Sequence, residues 1–454
     1  MGLNIKGFGG GGTFPHGIHP PERKNFSADA AIEVMPAPDT VMLPLTQHLG
    51  APSKLTAKPK SVVAVGDMIA EAGGFVSVPL HAPIAGKVMK TGVVTLPNGR
   101  HVPAVPIKAE GDQPDAASLY EDFFGGEWPT DGLDQYEAKT ILDAIRNAGI
   151  VGKGGAAFPT HVKYTPNKDK PIDTVVINGC ECEPYLTADY RLMKEAPGPI
   201  ITGALILGRT ANAKDIIIGV EDNKPQAVES LQKAAAGTGI KIAVLKTKYP
   251  QGSEKQLILA LTGRKVPLGG LPLDVGVAVS NVGTTAAVAR AVLRGKPVTH
   301  RVVSVTGGGI KNPKNLLVPL GISLGELIEY CGGLTAEAAR MISGGPMMGF
   351  AFSDLSTPVT KGTSGITVLT HQDLIREAET HCVRCGRCVD ACPMNLVPTK
   401  LALASRYKDI ELAKRYNIMG CFECGSCAYT CPAQIPIVQL VRTGKAVVIA
   451  ASKK

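Results

Sequence analysis

The sequence predicts a multidomain α/β protein that ends in a small, helical, cysteine-rich unit. Three observations carry this. The 454 residues exceed a single core at roughly 100 to 200 residues per domain. Helical and strand-like runs alternate between about 138 and 295. Eight of the eleven cysteines are crowded into positions 382–431.

At the N-terminus, residues 1–12 hold one lysine and a glycine run, with none of the charged-then-apolar layout of a secretory signal. The longest apolar stretches, such as 200–207 and 446–451, fall well short of the ~18 to 20 residues that span a bilayer. The expectation is a protein that stays in the cytoplasm. The formal charge, 48 minus 39 or +9, suits an anionic surface or an acidic partner. Aromatics make up only 5% and interleave with no Lys/Arg block, so no nucleic-acid partner is expected.

In the centre, Ile141, Leu142 and Ile145 form a helical stripe before Gly149. Strand-like runs follow at 175–177, 216–218 and 242–245, with helical runs at 225–236, 254–261 and 284–293. That alternation predicts a parallel sheet, a Rossmann-like domain over 135–298, and a nucleotide-sized ligand.

Four loops in this domain are rich in ligand-binding residue types. The run G-K-G-G-A-A-F-P-T at 152–160 places Gly152, Lys153, Gly154, Gly155 and Phe158 after a helix, so it is not the strand-to-helix dinucleotide fingerprint. Its bare amides still suit a phosphate or a flat ring, and Lys163 offers a charge. The run N-G-C-E-C-E-P-Y at 178–185 brings Asn178, Glu181, Glu183 and Tyr185 to the carboxyl end of a strand, where such sheets bind ligands. Tyr249, Gly252 and Glu254 in one further loop, and Asn281 and Thr284 in another, open helices after strand signals. All four loops are expected on one crevice.

The cysteines form two runs of C-x2-C-x2-C-x3-C-P: Cys382, Cys385, Cys388, Cys392, and Cys421, Cys424, Cys427, Cys431. Three thiolates at this spacing wrap one face of a [4Fe-4S] cube, and the fourth ligates the other cluster. The expected quartets are therefore Cys382, Cys385, Cys388 with Cys431, and Cys421, Cys424, Cys427 with Cys392. Four-cysteine zinc sites need only paired cysteines per metal, and disulfides do not suit a cytosolic chain. Leu401, Leu403, Ile410, Leu412 and Ala413 predict a helix pair bracing the clusters, and Cys331 reads as core.

These motifs resemble the flavoprotein family that includes the NADH-oxidising subunit of respiratory complex I. There a similar glycine loop, an N-x-x-E-x-E-P loop and an N-V-x-T helix start surround FMN. The start G-I-H-P-P-E-R-K at 17–24, the Y-P-Q-G-x-E-K-Q segment and the paired cysteine runs are similar to the C component of the Rnf complex family, the ion-translocating ferredoxin:NAD oxidoreductases. The resemblance implies FMN held by Gly152, Gly154, Gly155, Lys163, Asn178, Asn281 and Thr284. Glu181, Glu183 and Glu254 would meet the flavin edge or the nicotinamide ribose of NADH. The complex I relative has an acidic residue at the position of Cys180 and glycine at that of Ala157.

By the same resemblance, residues 1–30 are an N-terminal docking segment and 31–115 a lipoyl-like barrel sandwich. No lysine lies between Lys60 and Lys87 to carry lipoate or biotin. A β-grasp module is expected at 299–350, with Ser323 and Glu326 as a capping box. A bacterial-ferredoxin-type domain follows at 368–440 and a basic tail at 441–454. NADH yields electrons in pairs and a cubane accepts them singly, so the expectation is cofactor chemistry with no catalytic side chain. Expected partners are the membrane and iron-sulfur subunits of such a complex and, indirectly, ferredoxin, with the chain peripheral on the cytoplasmic face of the membrane. Rival readings are a cobalamin reductase of bacterial microcompartments and a non-catalytic electron-wiring scaffold.

Overall fold

The computed structural model describes residues 10–375 and 377–452. Residues 1–9 of the expected docking segment, and Lys453 and Lys454 of the expected tail, lie outside the described residues.

The expected central elements form. Strands Thr174–Asn178, Asp215–Glu221, Lys241–Leu245 and Val277–Asn281 make a four-stranded, all-parallel sheet. In space Thr174–Asn178 lies between Asp215–Glu221 and Val277–Asn281, with Lys241–Leu245 outermost. The chain order thus reverses between Thr174–Asn178 and Val277–Asn281, and the carboxyl ends flanking that reversal are Asn178 and Asn281. A crevice at such a switch point is where open parallel sheets take ligands. Val175, Val176 and Ile177 are fully buried, as expected of a sheet covered on both faces. The apolar stretch around 200–207 is the core of helix Pro197–Ala211, which packs along helix Val282–Arg294. Gly203 permits the approach, since a Cβ there would lie 2.0 Å from the carbonyl oxygen of Thr285.

Before this domain, short antiparallel strands build two small sheets. One is centred on His101–Ala109 beside Thr40–Pro44 and Gly86–Val88, and the other on Met68–Glu71. After it, His300–Thr306 and Lys314–Pro319 pair antiparallel, and helix Leu324–Tyr330 starts at the expected box. Ser323 Oγ accepts from the Glu326 amide and the Glu326 carboxylate accepts from the Ser323 amide, both at 3.1 Å. The sheet here has six strands, reaching forward to Gly365–Thr370 and back to Ile32–Val34. One apolar core runs from Val41 and Leu43 through Ile177 and Val220 to Leu316 and Val368, so these units are fused by packing.

The C-terminal unit has its own core around Leu401, Ala413, Ile418 and Val441. Helices Pro398–Arg406 and Ile410–Arg415 form the expected brace, although Leu403 faces solvent. Helix Ile437–Ala451 buries Val441 and Val448 in this core, and its Arg442 and Lys445 both bond Glu423. The N-terminal segment ties this unit to the central domain. Ile18 exchanges backbone hydrogen bonds with Tyr249, and the Gly17 amide donates to Ala391.

Candidate flavin cleft and iron-sulfur centres

The four loops do converge. A cleft of ≈ 620 Å³ opens at the carboxyl ends of the central strands. Gly152, Lys153, Gly154, Phe158 and Lys163 line one side of it. Asn178, Glu181, Glu183, Tyr249, Gly252, Glu254, Asn281 and Thr284 supply much of the rest. Gly155 and Tyr185 do not reach it. Gly155 is an exposed turn residue with φ +106°, and Tyr185 instead stacks on Phe26 and donates its hydroxyl to Asp373.

Several of these side chains are spent on building the cleft. Asn178 accepts from the Cys180 amide and donates to the Gly252 carbonyl, locking two loops together. Glu181 accepts from the amides of Asp189 and Tyr190, satisfying the open start of helix Ala188–Glu195. Asn281 caps helix Val282–Arg294 and donates to Asp189, while Thr284 Oγ accepts from the Lys153 amide at 2.8 Å. Lys163 is paired with Glu254 at 3.0 Å and donates to the Val279 carbonyl. A Cβ on Gly252 would stand 2.2 Å from the Cys180 carbonyl oxygen, so that approach requires glycine.

Ala157 adopts φ +48°, the left-handed region that glycine enters freely and L side chains rarely adopt. Glu183 accepts from the amides of Met347 and Met348, and burial pushes its carboxyl up to about 7. Sequence reasoning missed Asp189, which lies just past the expected loop, and Arg301, the contribution of the following domain. No local motif marks either residue. Their roles come from packing between units.

The cysteine-rich unit meets the same cleft. Cys421 and Phe422 are among its lining, and none of the other quartet is. Cys392, Cys421, Cys424 and Cys427 line a single apolar pocket. Burial raises the thiols of Cys421, Cys424 and Cys427, and nearby Cys392 raises each further. In the other quartet, burial and then Cys431 and Cys382 raise Cys388. The last cysteine of the first run therefore stands with the first three of the second, and Cys431, the last of the second run, acts on Cys388 of the first. Among the described residues no three His, Cys, Asp or Glu side chains converge as on one metal ion. The second quartet surrounds a space instead, which suits a cube. Cys382 and Cys385 are exposed.

Comparison with known proteins agrees with this layout. Residues 145–290 match the Nuo51 FMN-binding domain, 12–112 the RnfC barrel sandwich hybrid domain, 302–351 the SLBB domain and 381–435 the 4Fe-4S dicluster domain. The chain is 44% identical to the C component of the proton-translocating ferredoxin:NAD(+) oxidoreductase complex of Clostridium ljungdahlii, over 95% of this chain and 93% of the relative. The chain belongs to the RnfC family of ion-translocating ferredoxin:NAD(+) oxidoreductase complexes. It is 41% identical to the RnfC protein of the Na(+)-translocating complex of Acetobacterium woodii, over 98% of both chains. The corresponding protein of Rhodobacter capsulatus is 40% identical, over 94% of this chain and 82% of that one. This RnfC protein thus carries an FMN domain and a dicluster domain, for FMN and two [4Fe-4S] clusters. No helix among the described residues is long and apolar enough to cross a membrane.

Proposed function

We propose that this chain is the NADH-facing electron subunit of its complex, with the quartet of Cys421, Cys424, Cys427 and Cys392 nearest the flavin. The quartet of Cys382, Cys385, Cys388 and Cys431 then serves as the exit towards partner subunits. The observation that carries this is the presence of Cys421 and Phe422 in the wall of the cleft that Gly152, Lys153 and Asn281 also line. The solvent exposure of Cys382 and Cys385 supports the second half.

In the cleft, Gly152 and Gly154 would let the backbone approach the cofactor, and Phe158 offers a ring face for the nucleotide. Glu183 would hold a proton near neutral pH beside the cofactor. FMN, when bound, supplies the conversion between paired and single electrons. No side chain is required as a nucleophile. The proposed partners are the membrane and iron-sulfur subunits of the complex, with ferredoxin reached through them and the chain itself peripheral on the cytoplasmic face. Relatives of similar identity are named for protons and for sodium, so we place the choice of ion elsewhere in the complex.

Family membership sets aside the cobalamin-reductase reading. To separate an electron-input subunit from a wiring scaffold, the chain is reconstituted anaerobically with iron, sulfide and FMN and then given NADH. Stoichiometric flavin, with NADH reducing both flavin and clusters, supports the proposal. Two reducible clusters with no flavin uptake and no response to NADH would overturn it in favour of the scaffold.

A further inference from the structure

The two cysteine runs fold as an internal repeat whose halves match in backbone and differ in what covers them. Arg384 and Glu423 hold the same position in their runs, with φ +56° and +64°, and Gly386 and Gly425 follow at +80° and +85°. Short helices Arg387–Asp390 and Ser426–Tyr429 come next, and helices Pro398–Arg406 and Ile437–Ala451 then begin in register.

The second run is covered. Glu423 accepts from Arg442 at 2.9 Å and from Lys445 at 2.7 Å, which clamps helix Ile437–Ala451 over it. Arg442 also donates to the Met348 carbonyl and lies over the Phe350 ring at 4.4 Å, so the preceding domain closes on the same loop. The first run is bare. Every residue of 377–387 is exposed, Cys382 and Cys385 among them. Leu403 stands where the second half has Arg442, and Arg406, in the place of Lys445, turns to Glu379. The side chains of Arg384 and Arg387 have no hydrogen-bond or ion-pair partner among the described residues.

Helix Pro398–Arg406 shares this face. Thr399 Oγ1 is 3.7 Å from Cys382 Sγ and Arg406 reaches Glu379, so Leu403, on the same side of the helix between them, flanks the bare loop. Val383, Leu403 and Tyr407 are 65%, 44% and 74% exposed, three large side chains offering apolar surface about one ligand loop. Lys400 and Lys408 add exposed cations. Of the acids here, Glu379 is engaged by Arg406 and Asp409 caps helix Ile410–Arg415, which leaves Glu377 and Asp390 and a positive excess. Apolar surface ringed by unpaired guanidinium groups, beside a solvent-facing ligand loop, suits a small and transient electron-transfer interface.

We propose that this face docks an acidic protein surface, whose Asp or Glu side chains meet Arg384 and Arg387 much as Glu423 meets Arg442 and Lys445. The partner brings a one-electron centre of its own against the Cys382 quartet. Charge is reversed relative to the second half, where the loop carries the carboxylate and its cover the cations. A lipid surface offers negative charge but no electron acceptor. The inference rests on the reading of the Cys382 quartet as the exit and adds the chemistry of what docks there.

The test uses the full chain loaded with both clusters and FMN, and membranes that hold the other subunits of the complex but are stripped of this chain. Sedimentation measures rebinding, and NADH-driven reduction of the membrane centres measures transfer. Rebinding of the wild type should weaken as salt rises. Arg384→Glu with Arg387→Glu should weaken it by ~10-fold with iron and flavin content unchanged, and Arg384→Lys with Arg387→Lys should keep most of it. Tyr407→Ser with Lys408→Glu lies off the ligand loop, should weaken rebinding by ~3-fold, and decides the matter if the first variant loses its cluster. Rebinding unchanged in both charge-reversed variants would overturn the proposal. Equally tight binding to phosphatidylglycerol vesicles, lost in step in the same variants, would overturn it in favour of a lipid surface. A Cys382→Ser chain that still passes electrons at the wild-type rate would sink the exit reading alone, because the rebinding series still decides the docking face.

Discussion

The hydroxyl of Tyr249 donates to the backbone carbonyl of Cys424 at 2.6 Å, joining a cleft-lining loop to a cluster ligand through one buried hydrogen bond. Around it Ile18, Ala391, Phe422 and Cys182 pack into a small apolar cluster shared by three parts of the chain. Tyr249→Phe keeps the ring and removes only the donor, leaving a buried carbonyl without its partner. The expected cost is about 1 to 3 kcal/mol at this junction. Thermal unfolding should show it, and the EPR signal of the cluster in the Cys421 quartet should shift while that of the exposed cluster stays in place.

Gly252 gives a sharper test of the cleft. With the Cys180 carbonyl oxygen 2.2 Å from any Cβ, Gly252→Ala must push the 178–185 loop and its own loop apart. The Asn178 bond to the Gly252 carbonyl and the Gly252 amide bond to Cys182 Sγ would go with them. The prediction is loss of FMN uptake with iron content unchanged, read as a flavin-to-iron ratio. Full flavin retention in the variant would contradict the arrangement of these two loops.

Much of this was legible in the sequence because the decisive signals are local. Strand and helix periods located each of the four central strands to within a few residues or by its flanking loop. Ser323 and Glu326 marked a helix start by spacing alone. The two cysteine runs pointed to a pair of crossed quartets because C-x2-C-x2-C leaves one cube corner open, and Cys392 lines one pocket with Cys421, Cys424 and Cys427. What escaped was set by packing between distant segments. Nothing near Asp189 or Arg301 announces a cleft, since one comes from a helix start and the other from the following domain. Tyr185 carried the look of a binding residue, but its φ of +71° turns it towards Phe26 and Asp373. Asn178 and Glu181 read as ligand contacts, yet much of their bonding holds neighbouring backbone in place.

The proposed crossing of the quartets predicts an asymmetric response to paired substitutions. Cys382→Ala with Cys431→Ala strikes one quartet twice, whereas Cys382→Ala with Cys392→Ala strikes both. Iron should fall from about eight to about four per chain in the first variant and towards zero in the second. Uncrossed ligation would reverse the two results, so iron analysis of the purified variants decides between them.

Glu183 links the cleft to pH. Its carboxyl sits against the Met347 and Met348 amides, and burial lifts its folded value from 4.5 to about 7. Between those values the folded chain holds a proton that the unfolded chain has released. Stability from this group is therefore present below about 4.5 and lost as pH rises through about 7, by about 3 kcal/mol in all. Glu183→Gln cannot titrate and should lack that slope. The difference in Tm between wild type and variant should thus shift against the wild type from about pH 5.5 to about pH 8. A difference that stays constant over that range would mean the carboxyl is already ionised in the fold, and the proton assigned to it beside the cofactor would have to be withdrawn.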